Sequence, residues 1–266
     1  MKPLVARILV LAGLLGALGC GRKPASGLTL AGSTSIQPFA EKWAEAFRAK
    51  RPEVEIHVQG GGSTAGVKAA ETGAAQIGMC SRELHPDEAA QLKAFPVARD
   101  GLAIIVHPSS TVGDLTREQV QRIYEGAVTN WKPVGGPDAP LTVITREEGS
   151  GTRGAFEELV MGKDHKISSS ALVQDSTGAV RQMVSSNPGA IGYISLGLVD
   201  SSVKAVKLGG VEATEANIDA GKYPLVRPFL FLTKGDPTGP AREFIDWITG
   251  PEGQALTRKE GLLPPK

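Results

Sequence analysis

The sequence predicts an α/β protein of two lobes connected by two crossing strands, and three observations lead there. Beyond the first 27 residues, short β-like runs alternate with helix-like segments, a pattern that fits neither a β-sandwich nor a helix bundle. Two apolar runs, residues 102–106 and residues 226–232, enclose a long stretch with helices and strands of its own. After the second run, a final helix returns at residues 241–248. The expected division is a discontinuous first lobe, residues 28–103 with 228–266, and an inserted second lobe, residues 104–227. Two strands crossing between such lobes form a hinge around a cleft that closes on a ligand. The 266-residue length suits two lobes of about 100 to 150 residues each.

Taken in order, the chain opens with Lys2 and Arg7 around the start of an apolar run, residues 8–18. That run is too short to span a bilayer and has the proportions of a secretory leader, so residues 1–19 are expected to be a signal peptide. It ends in Ala17-Leu18-Gly19-Cys20, which resembles the site at which bacterial lipoproteins are cleaved and acylated. Cys20 is therefore the expected lipid attachment point, and polar residues 20–27 the tether that holds the folded part at the membrane. With Cys20 acylated, Cys80 has no disulfide partner and reads as a small buried hydrophobe in Ile77-Gly78-Met79-Cys80.

Next, Val54, Ile56 and Val58 alternate as in a strand. Ile36, Phe39, Ala40, Trp43 and Phe47 fall at helical spacing, with Glu41, Lys42, Glu45 and Arg48 on the opposite face. Lysine and arginine number 29 against 28 aspartates and glutamates, a balance in which nothing suggests a polyanion such as nucleic acid as the partner and which a small ligand fits better. His57, His85, His107 and His165 show no metal-ligand spacing, and no metal or other cofactor is expected.

Three places share one design, a strand-like run, a turn of Gly, Ser and Thr, and then a helix. They are Gly32-Ser33-Thr34-Ser35, Gly60-Gly61-Gly62-Ser63-Thr64, and Arg146-Glu147-Glu148-Gly149-Ser150-Gly151-Thr152. A helix N-terminus offers unpaired N–H groups and partial positive charge to an anion, and hydroxyls add donors without adding charge. Any one such turn is accounted for by helix capping alone. Three in one chain, one of them carrying Arg146 four residues before Ser150, point to an oxyanion site, because a guanidinium fork matches two oxygens of a tetrahedral anion. A fourth element, Ser81-Arg82 at the end of the Ile77 strand, would add a hydroxyl and a second guanidinium, with a surface ion pair as the plainer reading of Arg82.

These motifs, in this order and followed by Ala190-Ile191-Gly192-Tyr193, resemble the phosphate-binding component of Pst transporters over nearly all of the mature chain. The resemblance implies a two-lobed periplasmic-binding-protein fold of type II. It implies inorganic phosphate held by Ser33, Thr34, Ser35 and Ser63 from one lobe and Arg146, Ser150, Gly151 and Thr152 from the other. It also implies ABC transporter permease subunits as partners and an extracytoplasmic location. Some family members place an aspartate, which accepts the phosphate proton, where this chain has Arg82. Asp100, near the hinge, is the candidate acceptor, with Glu147, Glu148 and Asp175 as competitors; a turn before Gly101 is the other reading of Asp100.

A hydrolase is disfavoured because no serine stands in a Gly-x-Ser-x-Gly frame, and a nucleotide loop because residues 149–153 lack the lysine and its spacing. The alternatives that remain keep the fold and change the ligand to sulfate, molybdate or an organic phosphate, or make the protein mainly a phosphate sensor.

Overall fold

The computed structural model describes residues 26–265. The expected signal peptide and the acylation site at Cys20 lie outside the described residues. The first lobe begins with β1 (Ser26–Gly32), so the last two residues of the expected tether are already strand. It continues with α1 (Gln37–Lys50), β2 (Val54–Gln59), α2 (Ser63–Thr72), β3 (Ile77–Cys80), α3 (Pro86–Ala89) and β4 (Lys93–Val106). The second lobe carries β5 (Asp114–Leu115), α4 (Arg117–Tyr124), β6 (Thr142–Arg146), α5 (Gly151–Phe156), β7 (Leu172–Gln174), α6 (Thr177–Ser186) and β8 (Ala190–Ser195). Short strands β9 (Lys204–Ala205) and β10 (Lys207–Leu208) and helix α7 (Glu215–Asp219) complete it. The chain then returns through β11 (Val226–Thr233), α8 (Gly239–Thr249) and α9 (Pro251–Lys259).

One sheet runs through both lobes in the order β2-β1-β3-β11-β4-β8-β6-β7, with β9 pairing β4. β1, β2 and β3 are parallel, as are β6, β7 and β8. The antiparallel members are the crossing strands: β11 pairs β3 and β4, and β4 pairs β8. β4 is longer than the apolar run predicts. Its first half pairs β11 as far as Gly101, and its second half, from Leu102, pairs β8, so one strand belongs to both lobes. Pro96, Arg99 and Asp100 interrupt the apolar pattern that would have revealed the first half. Asp100 accordingly lies in mid-strand, and the other reading of it, a turn before Gly101, does not hold.

Each lobe has its own core. In the first, Trp43, Phe39 and Phe47 of α1 pack on Phe229, Phe231 and Phe244, each buried aromatic contributing about 2–3 kcal/mol. In the second, Phe156 stacks on Tyr193 with ring centroids 4.2 Å apart, beside Tyr124. The end of the chain joins the two: Leu262 belongs to the first core and Leu263 to the second. Leu263 also exchanges backbone hydrogen bonds with Arg99 on β4. The expected first-lobe segment, residues 228–266, thus reaches across the hinge at its tip.

Candidate anion-binding site

All three predicted turns reach one place, where the lobes meet. β1 ends at Gly32, whose backbone passes so close to β3 and α2 that an added Cβ would lie 2.3 Å from the Met79 carbonyl oxygen. Its φ of 135° also requires glycine. Ser33 Oγ accepts the backbone N–H groups of Ser35 (3.2 Å) and Ile36 (3.3 Å), which leaves its own proton to be donated, here to Ser81 Oγ at 2.8 Å. Ser63, the first residue of α2, accepts the Ser81 N–H at 3.0 Å. On the facing lobe, Ser150 caps α5 by accepting the Arg153 N–H at 3.2 Å. Capping therefore accounts for Ser150, while Ser33 and Ser63 make no side-chain cap in their helices. The backbone holds all three hydroxyls as donors.

The lobes touch through these side chains. Ser35 Oγ lies 2.6 Å from Thr152 Oγ1 and 2.9 Å from Thr177 Oγ1. Thr64 donates its backbone N–H to the Gly149 carbonyl at 3.1 Å, and the Thr177 N–H reaches Thr34 Oγ1 at 3.4 Å. Gly151 sits where a Cβ would be 2.1 Å from Ser63 Oγ and 2.8 Å from Ser81 Oγ, so only glycine admits this approach. Ser33, Ser35, Ser63, Ser81, Ser150, Thr152 and Thr177 are all buried.

The arginines depart from the sequence-based expectation. The fork of Arg146 is bidentate to Glu147, with Nε and Nη2 each donating at 2.8 Å. The Gln174 and Asp175 carbonyls accept further bonds from it. The edge that faces the hydroxyls is Nη1, 3.2 Å from Thr177 Oγ1. Tyr193 supports this strand end: its hydroxyl lies 2.7 Å from Thr145 Oγ1 and accepts the Arg146 N–H at 3.4 Å. Burial pushes that phenol up to about 12, so it stays neutral. Arg82 is not a second guanidinium aimed at the hydroxyls. Its Nη1 and Nη2 donate to the two oxygens of Glu88 at 2.7 and 2.8 Å, and Nη1 also to the Glu83 carbonyl. Arg82 holds the Glu88 carboxyl below its ordinary range. This pair lies at the rim of the cleft, beside a cavity of about 590 Å³ that Ser150 also lines.

Asp100 does not face the hydroxyls directly either. Oδ1 accepts from Ser195 Oγ at 2.7 Å, and Oδ2 accepts from Arg227 Nε at 2.9 Å. Burial raises its carboxyl, and the charge of Arg227 is the largest influence pulling it back down. Arg227 and Thr177 were not among the predicted site residues. Thr177 stands in a fourth turn of the same design, Asp175-Ser176-Thr177-Gly178 between β7 and α6, where Ser176 is the cap. Arg227 had a fainter signal: with Pro228 it interrupts an otherwise apolar crossing strand. Among the described residues no cluster of His, Cys, Asp and Glu could hold a metal ion.

Hydroxyls from both lobes, helix N-termini and a buried guanidinium make a cradle of donors for an oxyanion. A family profile described as the PBP superfamily domain matches residues 21–252. The phosphate-binding protein PstS of Bacillus subtilis is 34% identical over 250 residues, 92% of this chain and 83% of that protein. The chain belongs to the PstS family. A PstS from Pseudomonas aeruginosa is 30% identical over 268 residues, 89% of this chain and 82% of that one. A crystal structure with bound phosphate, of a Clostridium perfringens protein described as a phosphate ABC transporter substrate-binding protein, superimposes with a TM-score of 0.87. That pair is 44% identical, covering 91% of this chain and all of the other. The two-lobed fold is thus shared with PstS-family structures.

Proposed function

We propose that this chain captures inorganic phosphate outside the cytoplasm and delivers it to the permease of an ABC importer. The observation that carries this reading is the convergence of buried hydroxyls from both lobes at the seam, where Thr177 Oγ1 meets the Nη1 edge of Arg146. A ligand bonded to both walls favours the closed arrangement by its differential affinity for it. The names of the PstS-family relatives favour phosphate over the other oxyanions. Binding rather than catalysis is supported by the same geometry, in which these hydroxyls bond backbone amides, arginines and one another.

Residues 28–103 with 228–266 and residues 104–227 are the bodies that would rotate, about the crossings near Gly101 and Val226. The leader and Cys20 support a lipid-anchored, extracytoplasmic location, and among the described residues no helix is long and apolar enough to cross a membrane. Calorimetric titration of the tether-truncated protein, stripped of endogenous ligand, with phosphate and then sulfate tests the ligand. Tight phosphate binding with little sulfate response is expected, and sulfate preference overturns the assignment. Labelled palmitate should be incorporated in cells by the wild type and not by Cys20→Ser.

A further inference from the structure

We propose that Arg227 is a second ligand-contacting guanidinium of the anion site, held in place by Asp100 and Ser195, and that this triad sets the charge the site prefers. The inference rests on the phosphate-binding reading above and names a specificity device within it.

Three buried arginines surround the cleft, and they differ in what their donors are committed to. Arg82 gives both Nη groups to Glu88, and Arg146 gives its fork to Glu147. Arg227 belongs to the second crossing strand and reaches both walls. Its Nη1 donates to Thr152 Oγ1 of the second lobe at 2.8 Å and to the Ser81 carbonyl of the first at 3.3 Å. It therefore stands at the seam where the hydroxyls of the two lobes meet. Nη2 is buried 2.9 Å from Asp100 Oδ2 but out of line for a hydrogen bond, and it has no other hydrogen-bond partner. A buried guanidinium whose Nη2 keeps its N–H groups unused while its Nη1 bonds a hydroxyl of the seam is an anion-binding element.

The local backbone supports this placement. Arg227 and Asp100 are cross-strand partners in the β11–β4 ladder, so the ion pair is fixed by register between the two crossing strands. A register irregularity follows at Phe229/Leu230, the kind of local distortion that re-aims a side chain next to a site. The guanidinium carbon lies 5.3 Å from the centroid of the Phe229 ring, which limits where it can swing. Ser195, the last residue of β8, anchors the other Asp100 oxygen from the second lobe. Asp100 and Ser195 act through Arg227 and are positioning residues.

The carboxylate has a second effect. Glu147 and Asp100 already neutralise the two arginines nearest the hydroxyls, so the site offers donors without a large surplus of positive charge. Such a site rewards hydrogen bonding over charge alone. Removing the Asp100 charge would leave Arg227 uncompensated and shift the preference toward an anion that is fully ionised at neutral pH.

Calorimetric titration with inorganic phosphate and with sulfate at fixed pH and salt, on the full mature chain and its variants, tests this. The double variant Arg227→Gln with Asp100→Asn removes both charges of the pair and should bind phosphate about 100-fold more weakly. Arg227→Lys keeps the charge and loses the fork, and should weaken phosphate about tenfold. Asp100→Asn alone should raise the ratio of sulfate to phosphate affinity about tenfold, a change that a purely structural hinge pair would not produce. Phosphate affinity within about threefold of wild type in a folded double variant, or in Arg227→Lys should the double variant fail to fold, overturns the role of Arg227. An unchanged selectivity ratio in Asp100→Asn overturns the role of the pair in charge preference. Failure of the wild type to bind phosphate is a separate outcome, and it removes the reading on which the inference rests.

Discussion

The two walls of the cleft hold their side chains by different means. On the first lobe the groups are uncharged serines, and backbone amides fix them: Ser33 accepts from Ser35 and Ile36, and Ser63 accepts from Ser81. On the second lobe the principal group is charged, and other side chains fix it, since Arg146 is clamped by Glu147 and backed by Thr177. The first wall is thus preorganised by the path of the chain, and the second by an ion pair partly open to solvent. Between them, the crossing strands carry Arg227 and Asp100, which belong to neither wall alone. A hydroxyl that fails to bond an anionic ligand loses a hydrogen bond with charge on one side only, whereas a guanidinium loses one with charge on both sides.

That contrast can be broken first at its charged side. Arg146→Ala should weaken phosphate binding about 100- to 1,000-fold, about 3–4 kcal/mol, measured by titration calorimetry. A loss of less than tenfold would mean that the charge of the second wall is not what grips the ligand. The seam itself is tested by Gly151→Ala, whose methyl would collide with Ser63 Oγ and Ser81 Oγ. Holding the walls apart should cost about 30-fold in affinity, from about 2 kcal/mol of overpacking. Small-angle scattering should find that phosphate no longer reduces the radius of gyration of this variant. On the neutral wall, Ser63→Ala should lose only about tenfold, near 1.4 kcal/mol. A loss as large as that of Arg146→Ala would erase the distinction between the walls.

The smallest effect concerns the rim. Arg82 and Glu88 form a mostly buried pair, and Glu88→Gln should lower stability by about 1 kcal/mol at neutral pH, read by denaturant unfolding. The carboxyl of Glu88 is lowered in the folded protein, chiefly by its hydrogen bonds from Arg82. Its contribution is therefore complete above the ordinary glutamate range and is lost as pH falls through the lower folded value. The gap between wild type and variant should stay constant from neutral pH down to about 5 and close below about 4. A gap that instead grew on acidification would contradict the assigned pairing.

Much of the molecule is legible without coordinates because it depends on spacing along the chain. The apolar stripe of Ile36, Phe39, Ala40, Trp43 and Phe47 does become a buried face. The turn at Ser150 opens α5 as its composition suggests. Where the signal was weak, the reasons are equally local. The first half of β4 hides behind Pro96, Arg99 and Asp100. The turn at Thr177 follows a strand of only three residues, and α9 begins directly after the helix that was recognised.

The sequence by itself determined the α/β alternation, the two crossing runs, the Gly, Ser and Thr turns and the place of Arg146 in one of them, because each follows from periodicity or from residues within a few positions of one another. What only the tertiary structure decided is which charges meet. Arg82 turns to Glu88, Arg146 gives its fork to Glu147, and Arg227 finds Asp100, a residue 127 positions away. The last of these follows from the register between the two crossing strands, and all three from the need of every buried charge for a counter-charge, a requirement that residue spacing alone does not resolve.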